Sequence, residues 1–467
     1  MLFSSMLFLW TFLPITLIGF VLLRRTKLGD VFLLLMSLVF YAWGEPVYVL
    51  LMIFSILFNW GIGMLAAPGK QHRKAVLILA LLINLGSLIT FKYLGLLINT
   101  FNILPLSLKF SDPQIALPIG ISFFTFQAVS YIIDVYKGDV APQKNVMKLA
   151  LYISFFPQLI AGPIVRYSDI NKQLEHRECT LTGFAEGCRR FIYGLAKKVL
   201  IANTLAGAAD RIFAVPAQEI TGAMAWAAAL LYTFQIYYDF SGYSDMAIGL
   251  GKMFGFTFLE NFYYPYTSRS VREFWRRWHI SLSTWFREYV YIPLGGNRKG
   301  NSRTLMNLLI VFLCTGFWHG AAWSFLLWGI YHGVFSVLER GRFGKIIAKA
   351  PSPVQWLYSM LTVIFGWVLF RLESVHGWLL YIRKMLFLMR PSIPAYRLAE
   401  FVDLKTAMMF CVALLGMGFI QRTLGNRLPG QKWKGSLPEA VWLLMLLVLC
   451  VISLAGNTYN PFIYFRF

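Results

Sequence analysis

Long apolar runs separated by short basic loops are the feature of this sequence that most constrains its fold. A membrane-spanning helix needs about 20 mainly apolar residues, and the first run, residues 6–23, approaches that length. Similar runs recur along the 467 residues, of which 58% are hydrophobic and only 14% are charged. Because water-soluble domains carry roughly 25% charged residues, the pattern predicts an all-α polytopic membrane protein.

The basic loops predict how the apolar runs are oriented, since cytoplasmic loops are enriched in lysine and arginine. The first run has no basic residue before it and is followed by Arg24, Arg25 and Lys27. A cleavable signal peptide has the opposite arrangement. We therefore expect a retained first helix and an outside N-terminus. Following the runs along the chain predicts about 11–12 transmembrane helices and an outside C-terminus.

Two stretches are expected to be irregular or interfacial. Residues 149–164 contain Pro157 and Pro163 within an apolar run. This predicts a re-entrant or broken helix, which protein must shield or which must line a cavity. Residues 260–303 hold eight Arg or Lys against three Glu and lack a long apolar run. This composition predicts amphipathic helices at the cytoplasmic membrane surface.

Charge and cysteine content argue against three further classes of protein. The net charge of +22 comes from basic residues between the apolar runs, so we expect membrane topology and no nucleic-acid partner. The five cysteines are few, odd in number and scattered, which is not typical of a disulfide scaffold. No spacing of His and Cys fits a zinc site, so no bound metal is expected.

His319 is the first candidate site residue. Placing an ionisable side chain within a membrane segment is energetically unfavourable, so such a residue is a functional candidate by default. It lies between two apolar runs, with Gly316 and Gly320 beside it. A histidine there can act as a general base or nucleophile near neutral pH. The alternative is a histidine that bonds a neighbouring carbonyl or lies in a wet outer loop.

A second candidate site lies in residues 272–287. At about 100° per residue, a helix here carries on one stripe the side chains of Arg272, Arg276, Ser283 and Arg287. Guanidinium groups bind phosphates bidentately, so the stripe predicts a phosphate site. Trp278 lies on an adjacent aromatic stripe that enters lipid or stacks on a purine, and His279 lies between the two stripes. An interfacial helix whose arginines reach anionic headgroups is equally consistent with this spacing.

Asp239 and Asp245 follow directly on an apolar run. Residues six apart lie on roughly opposite faces of a helix, so a pair of carboxylates sharing one proton is not expected. The first expectation is structural pairing with arginines of the basic segment, and the second is the orientation of a histidine.

These residues lie in motifs that resemble the membrane-bound O-acyltransferase (MBOAT) family, and within it the bacterial alginate O-acetylation branch. The most specific motifs are Trp278-His-Ile-Ser281 and Gly316-Phe-Trp-His319. The likeness covers nearly the whole chain and also includes residues 122–127, 132–134, 155–163, 238–245, 291–296 and 460–467. It implies that His319 is the catalytic histidine, and that His279 is a second one at the opposite end of a tunnel through the protein.

The resemblance also implies a function. We expect transfer of acetyl from cytoplasmic acetyl-CoA to a hydroxyl acceptor, for O-acetylation of an extracytoplasmic polysaccharide, alginate-like or cell-wall. Acetyl-CoA would be a substrate, with its phosphates on the arginine stripe, and no permanently bound cofactor is expected. The expected setting is the lipid of the bacterial inner membrane, with an extracytoplasmic acetyltransferase or acetyl-carrier protein as partner. One domain, 1–467, is expected, with its catalytic core in about 115–340.

Several alternatives stay open from the sequence. His319 either deprotonates the acceptor hydroxyl or itself carries the acetyl group for a time. The donor could instead be a carrier-protein thioester, as in the family's D-alanyl transfer branch, or a long-chain acyl group destined for a lipid. A transporter or channel for acyl donors or polysaccharide is the alternative from another functional class.

Overall fold

The computed structural model describes residues 1–26, 28–105, 109–216, 218–372, 374–389, 396–424, 434–456 and 459–463. Within these ranges the regular structure is helical and contains no β-strand. The all-α class predicted from the apolar runs is therefore confirmed.

One compact unit consists of residues 1–191 and 246–259. Its helices, in chain order, are α1 (Phe8–Leu23), α2 (Leu28–Ala42), α3 (Tyr48–Ala66), α4 (Arg73–Ile103), α5 (Ile121–Lys137), α6 (Val146–Ser154), α7 (Phe156–Leu159), α8 (Tyr167–Glu175) and most of α9 (Leu181–Ala196). The first turn and a half of α1, Phe8–Phe12, is wound as a π-helix.

The second compact unit consists of residues 192–245 and 260–467 and contains the candidate site residues. After a π-helical stretch, Lys197–Ala202, its helices are α10 (Asn203–Ala214), most of α11 (Gly222–Met253), α12 (Val271–Arg277), α13 (Ile280–Phe286), α14 (Asn301–His319), α15 (Trp323–Leu338), α16 (Arg342–Lys349), α17 (Ser352–Leu372), α18 (Val375–Met385), α19 (Leu404–Leu415), α20 (Phe419–Leu424) and α21 (Leu437–Gly456). Short 3₁₀ turns cover Pro265–Thr267 and Leu398–Glu400, and Arg287–Tyr291 forms another π-helical turn. The expectation of a single domain stays a prediction.

Five helical segments of the described residues are long and apolar enough to cross a bilayer, namely α3, α4, α17, Leu404–Arg422 and α21. The helices α1, α2 and α15 are apolar but shorter. Large apolar side chains such as Leu50, Leu82 and Leu444 point outward from the long helices, as expected where lipid surrounds them. The chain is a multi-pass membrane protein, whereas the number of crossings and the sides of the two termini stay predictions.

The helix over residues 149–164 is broken, as its prolines predicted. Helix α6 ends at Ser154, and Phe155 leaves the helical conformation with ψ at 111°. The four-residue helix α7 then begins, with Pro157 in its first turn. Phe155 and Phe156 are almost completely buried, so protein shields the irregular backbone from lipid.

The prediction of one continuous helix over residues 272–287 is wrong. Helix α12 ends at Arg277 and α13 begins at Ile280, because His279 between them adopts a left-handed conformation with φ at 46° and ψ at 55°. This conformation costs a residue with a side chain roughly 1–2 kcal/mol. Backbone hydrogen bonds offset the cost, since Ile280 N donates to Asn261 O at 2.9 Å and Tyr263 N donates to Arg277 O at 3.0 Å.

Candidate active site

His319 is held by the close packing of α14 against α15. The two helices approach each other at Gly316 and Gly329, where a Cβ atom would lie 2.4 Å from Phe325 O and 2.3 Å from Phe312 O, respectively. Only glycine permits so close an approach. His319 is the last residue of α14, one turn beyond Gly316, and the chain leaves the helix there. Gly316, one of the two glycines that the sequence singled out, thus sets the position of the histidine together with Gly329.

Aromatic rings surround the His319 imidazole on three sides. Its ring centroid lies 4.9 Å from that of Trp318, 5.0 Å from Trp328 and 5.2 Å from Phe370, each in an edge-to-face arrangement. The side chain is only 8% exposed. Walls of this kind exclude bulk water, which strengthens every electrostatic interaction at the imidazole.

The His279 ring is fixed by the side chain of Asn261. Asn261 Oδ1 accepts hydrogen bonds from Ser281 N at 3.2 Å and from Ser281 Oγ at 2.8 Å. The oxygen must therefore face this cluster, and its third neighbour, His279 Nδ1 at 3.0 Å, must donate. A neutral imidazole with its proton on Nδ1 carries its lone pair on Nε2. His279 Nε2 is buried and finds no hydrogen-bond partner among the described residues.

Both histidines contact the same indole ring. The centroid of Trp318 lies 6.0 Å from that of His279 and 4.9 Å from that of His319. Phe240 covers another side of His279, with the centroids 4.6 Å apart. The two histidine motifs, 40 positions apart in the sequence, therefore form one aromatic cluster, although the resemblance placed them at opposite ends of a tunnel.

The predicted phosphate stripe converges on a cavity of about 310 Å³. The cavity is lined by the four predicted residues Arg272, Arg276, Ser283 and Arg287. All four line this one cavity although the helix that was expected to carry them breaks at His279. Arg340, which the sequence analysis did not single out, lines the same cavity. Its position in the turn after α15 could not be inferred from residue spacing, because α14 and α15 separate it from the other arginines in the sequence.

Positive charge at this cavity is only partly compensated. Arg287 pairs with Glu288 at 2.7 Å. Arg272, Arg276 and Arg340 form no ion pair with any residue that the structure describes. Burial, followed by the like charges of Arg340 and Arg276, lowers the pKa of Arg272. Repulsion among these three guanidinium groups favours binding of an anion.

Glu339 does not neutralise this charge through an ion pair, because its carboxylate caps α12. Its two oxygens accept from Val271 N at 2.6 Å and from Arg272 N at 2.9 Å. The side chain of Ser270 accepts from Glu273 N at 3.0 Å in the same turn. These bonds satisfy backbone donors that the first turn of a helix leaves free, and they hold the arginine-bearing helix in place.

Trp278 does not line the arginine cavity. Its side chain is 3% exposed and packs in the core, with ring centroids 4.8 Å from Trp367 and 5.0 Å from Phe262. The aromatic stripe was inferred from the spacing of one continuous helix. Because the helix breaks at the next residue, its side chains do not lie along one helix face. The predicted contact of Trp278 with a donor therefore has no support in the geometry.

Asp239 and Asp245 form ion pairs, but with lysines and not with the predicted arginines. Lys198 Nζ lies 2.7 Å from Asp239 Oδ1, and Lys197 Nζ lies 2.6 Å from Asp245 Oδ2. Both lysines belong to the π-helical stretch Lys197–Ala202, an irregularity that residue spacing does not reveal. The pairing itself is structural, as first expected.

The described part of the C-terminal motif packs beside the buried ion pair. Ile463 N donates to Asp239 Oδ2 at 2.9 Å, and Asn203 Nδ2 donates to Asn460 Oδ1 at 3.0 Å. The last residues of the motif, 464–467, lie outside the described residues. Hydrogen bonds to Asp239 and Asn203 therefore hold the first residues of the motif in place.

Known proteins resemble this chain along most of its length. The family model of the membrane-bound O-acyltransferases matches residues 142–381. A Pseudomonas putida protein named probable alginate O-acetylase is 40% identical over the full length of both chains. A Pseudomonas aeruginosa protein of the same name is 46% identical over 82% of this chain and 74% of its own. A Helicobacter pylori peptidoglycan O-acetyltransferase is 36% identical over 82% of this chain and 80% of its own.

Proposed function

Because this chain belongs to the membrane-bound O-acyltransferase family and is an acyltransferase, we propose that it O-acetylates an extracytoplasmic polysaccharide with acetyl-CoA as donor. Relatives named for the O-acetylation of alginate and of peptidoglycan support this class of acceptor. The polysaccharide is alginate-like or a cell-wall glycan. The protein acts in the bacterial inner membrane, and an extracytoplasmic acetyltransferase or carrier protein completes the transfer.

The arginine cavity is the single observation that carries the donor assignment. Three guanidinium groups that form no ion pair with the described residues, together with the Ser283 hydroxyl, suit the phosphates of CoA. Aromatic side chains in the same wall, among them Trp275 and Tyr291, suit an apolar part of the donor. The basic segment that forms this wall was predicted on the cytoplasmic side, where acetyl-CoA is available.

His319 is the general base in this proposal. It removes the proton from the acceptor hydroxyl, and the oxygen attacks the carbonyl carbon of the thioester. The carbon–sulfur bond breaks, and the CoA thiolate then takes the proton from His319. His279 is the second histidine, and its Nε2 lone pair can accept a hydrogen bond in the same cluster. The aromatic walls keep water from competing with the acceptor.

The test uses purified protein in lipid nanodiscs with acetyl-labelled CoA. Arg276→Ala removes a charged hydrogen-bond donor from the cavity, and we expect CoA binding to weaken roughly tenfold to a hundredfold. Arg277→Ala is the matched control, because Arg277 pairs with Glu273 at 2.7 Å and does not line the cavity. His319→Ala should abolish acetyl transfer and leave CoA binding intact.

The outcomes separate the competing functions. Failure of the wild-type protein to bind or use acetyl-CoA would contradict the donor assignment and favour a carrier-protein thioester. Acetyl transfer that survives His319→Ala would remove this histidine from the chemistry. Equal loss of CoA binding in Arg276→Ala and Arg277→Ala would show that the cavity is not the donor site.

A further inference from the structure

A ridge of α15 carries a polar or charged side chain at every fourth position. Residues four apart are neighbours on a helix surface, and a series of them forms a ridge inclined to the helix axis. The series continues into the turn after the helix and consists of Ser324, Trp328, His332, Ser336 and Arg340. We refer to these five residues as the α15 face.

Four members of the α15 face are buried with unsatisfied polar atoms. Ser324, Trp328, His332 and Ser336 are each at most 3% exposed. Neither hydroxyl, nor Trp328 Nε1, nor either ring nitrogen of His332 finds a hydrogen-bond partner among the described residues. Burying a polar group without a hydrogen-bond partner is unfavourable. Five such atoms along one ridge point to a ligand with hydrogen-bonding groups of its own.

The α15 face joins the two parts of the candidate site. At one end, Ser336 and Arg340 line the arginine cavity. At the other end, the ring centroid of Trp328 lies 5.0 Å from that of His319. His332 lies between these ends, with its centroid 5.0 Å from Trp328 and 5.1 Å from Trp275, and Trp275 also lines the cavity.

The length of this face matches a donor arm. Trp328 and Arg340 are twelve residues apart, which corresponds to about 18 Å along a helix. A phosphopantetheine arm has about thirteen bonds between phosphorus and sulfur, or about 15 Å when extended like a polypeptide backbone. A phosphate bound at Arg340 would therefore bring the thioester close to Trp328 and His319.

We infer that the α15 face lines the path of the donor's pantetheine arm, and that His332 is a positioning residue that hydrogen-bonds one of the arm's two amides. The inference rests on the proposed function, in which the donor is a CoA thioester. Gly366 leaves room for the ring on the side of α17, since a Cβ there would lie 2.5 Å from His332 Nε2. Nε2 thus faces α17, and Nδ1, which has no hydrogen-bond partner among the described residues, is the nitrogen that bonds the amide as a donor or as an acceptor.

The test compares two ligands that differ only in the arm. Wild-type protein in nanodiscs is titrated with CoA and with adenosine 3′-phosphate 5′-diphosphate, which keeps the phosphates and lacks the arm. We expect His332→Phe to weaken CoA binding about threefold to tenfold, the value of one hydrogen bond, and to leave binding of the armless nucleotide unchanged. His332→Gln keeps a donor and an acceptor. It should restore most of the CoA affinity and return the KM for acetyl-CoA close to its wild-type value. His376→Phe, on the exposed start of α18, is the control substitution.

Each result bears on a distinct statement. Unchanged CoA binding in His332→Phe, or equal weakening of both ligands, would overturn the role of His332. Wild-type protein that binds the nucleotide as tightly as CoA would overturn the path along α15. Wild-type protein that binds neither ligand would contradict the proposed function instead.

Discussion

The close approach of α14 and α15 is predicted to control the position of His319, and Gly316→Ala tests this directly. The added Cβ would lie 2.4 Å from Phe325 O and 3.1 Å from Gly329 Cα. Both are backbone atoms, so no side chain can rotate away to make room. Ordinary contacts of a Cβ begin at 3.4 Å, and the helices must therefore separate by about 1 Å.

This separation has two expected consequences. Overpacking of a well-packed interface costs about 1–3 kcal/mol, which should lower the temperature of unfolding. His319 lies three residues beyond Gly316 on the same helix, so it moves away from Trp328. A misplacement of about 1 Å can slow an enzyme roughly a hundredfold. We expect the loss of acetyl transfer to exceed what the lower stability explains.

The assay combines thermal unfolding in nanodiscs with initial rates of acetyl transfer, measured well below the unfolding temperature of each variant. Gly207→Ala is the matched control, because Gly207 lies within α10 and a Cβ there meets nothing within 4 Å. It should be neutral, or stabilise by about 0.5–1 kcal/mol. Wild-type stability and rate in Gly316→Ala would refute the reasoning, since the two helices would then tolerate a side chain at their contact.

Two further perturbations test the surroundings of the site. Asn261→Ala removes the acceptor of three hydrogen bonds to His279 and Ser281, so we expect about 2–4 kcal/mol of destabilisation and slower transfer; a wild-type melting curve would contradict this. Lys198→Met leaves Asp239 buried without its partner and should cost about 3–5 kcal/mol. By contrast, Lys197→Met, at a pair that is partly exposed, should cost less than about 1 kcal/mol in the same unfolding assay. Equal losses in the two lysine variants would show that burial does not set the value of these pairs.

Some of the structure follows from local chemistry and was therefore predictable. Apolar runs of membrane-spanning length require helices, because lipid offers no partner to free backbone groups. Pro157 lacks the backbone donor that a continuous helix needs and clashes with the preceding turn, and the helix breaks there. Gly316 has no side chain and so permits a tight turn or a close helix approach, and the packing of α14 against α15 is of the second kind.

Other features depend on contacts between distant parts of the chain. The left-handed conformation of His279 persists because Tyr263 N donates to Arg277 O before it and Asn261 O accepts from Ile280 N after it. Nothing in residues 272–287 indicates these partners. The same break moved Trp278 into the core. Likewise, Asp245 and Asp239 pair with Lys197 and Lys198 of the π-helical stretch, and not with the expected arginines.

The sequence was sufficient for the class of protein and for three of the four arginines that line the arginine cavity, since both depend on composition and on spacing within one segment. Only the tertiary structure added Arg340 to that cavity, brought His279 and His319 to one indole ring, and aligned the α15 face between them. These juxtapositions arise from packing between helices that are far apart in the chain. Helical periodicity describes the faces of one helix and carries no information about which helices will meet.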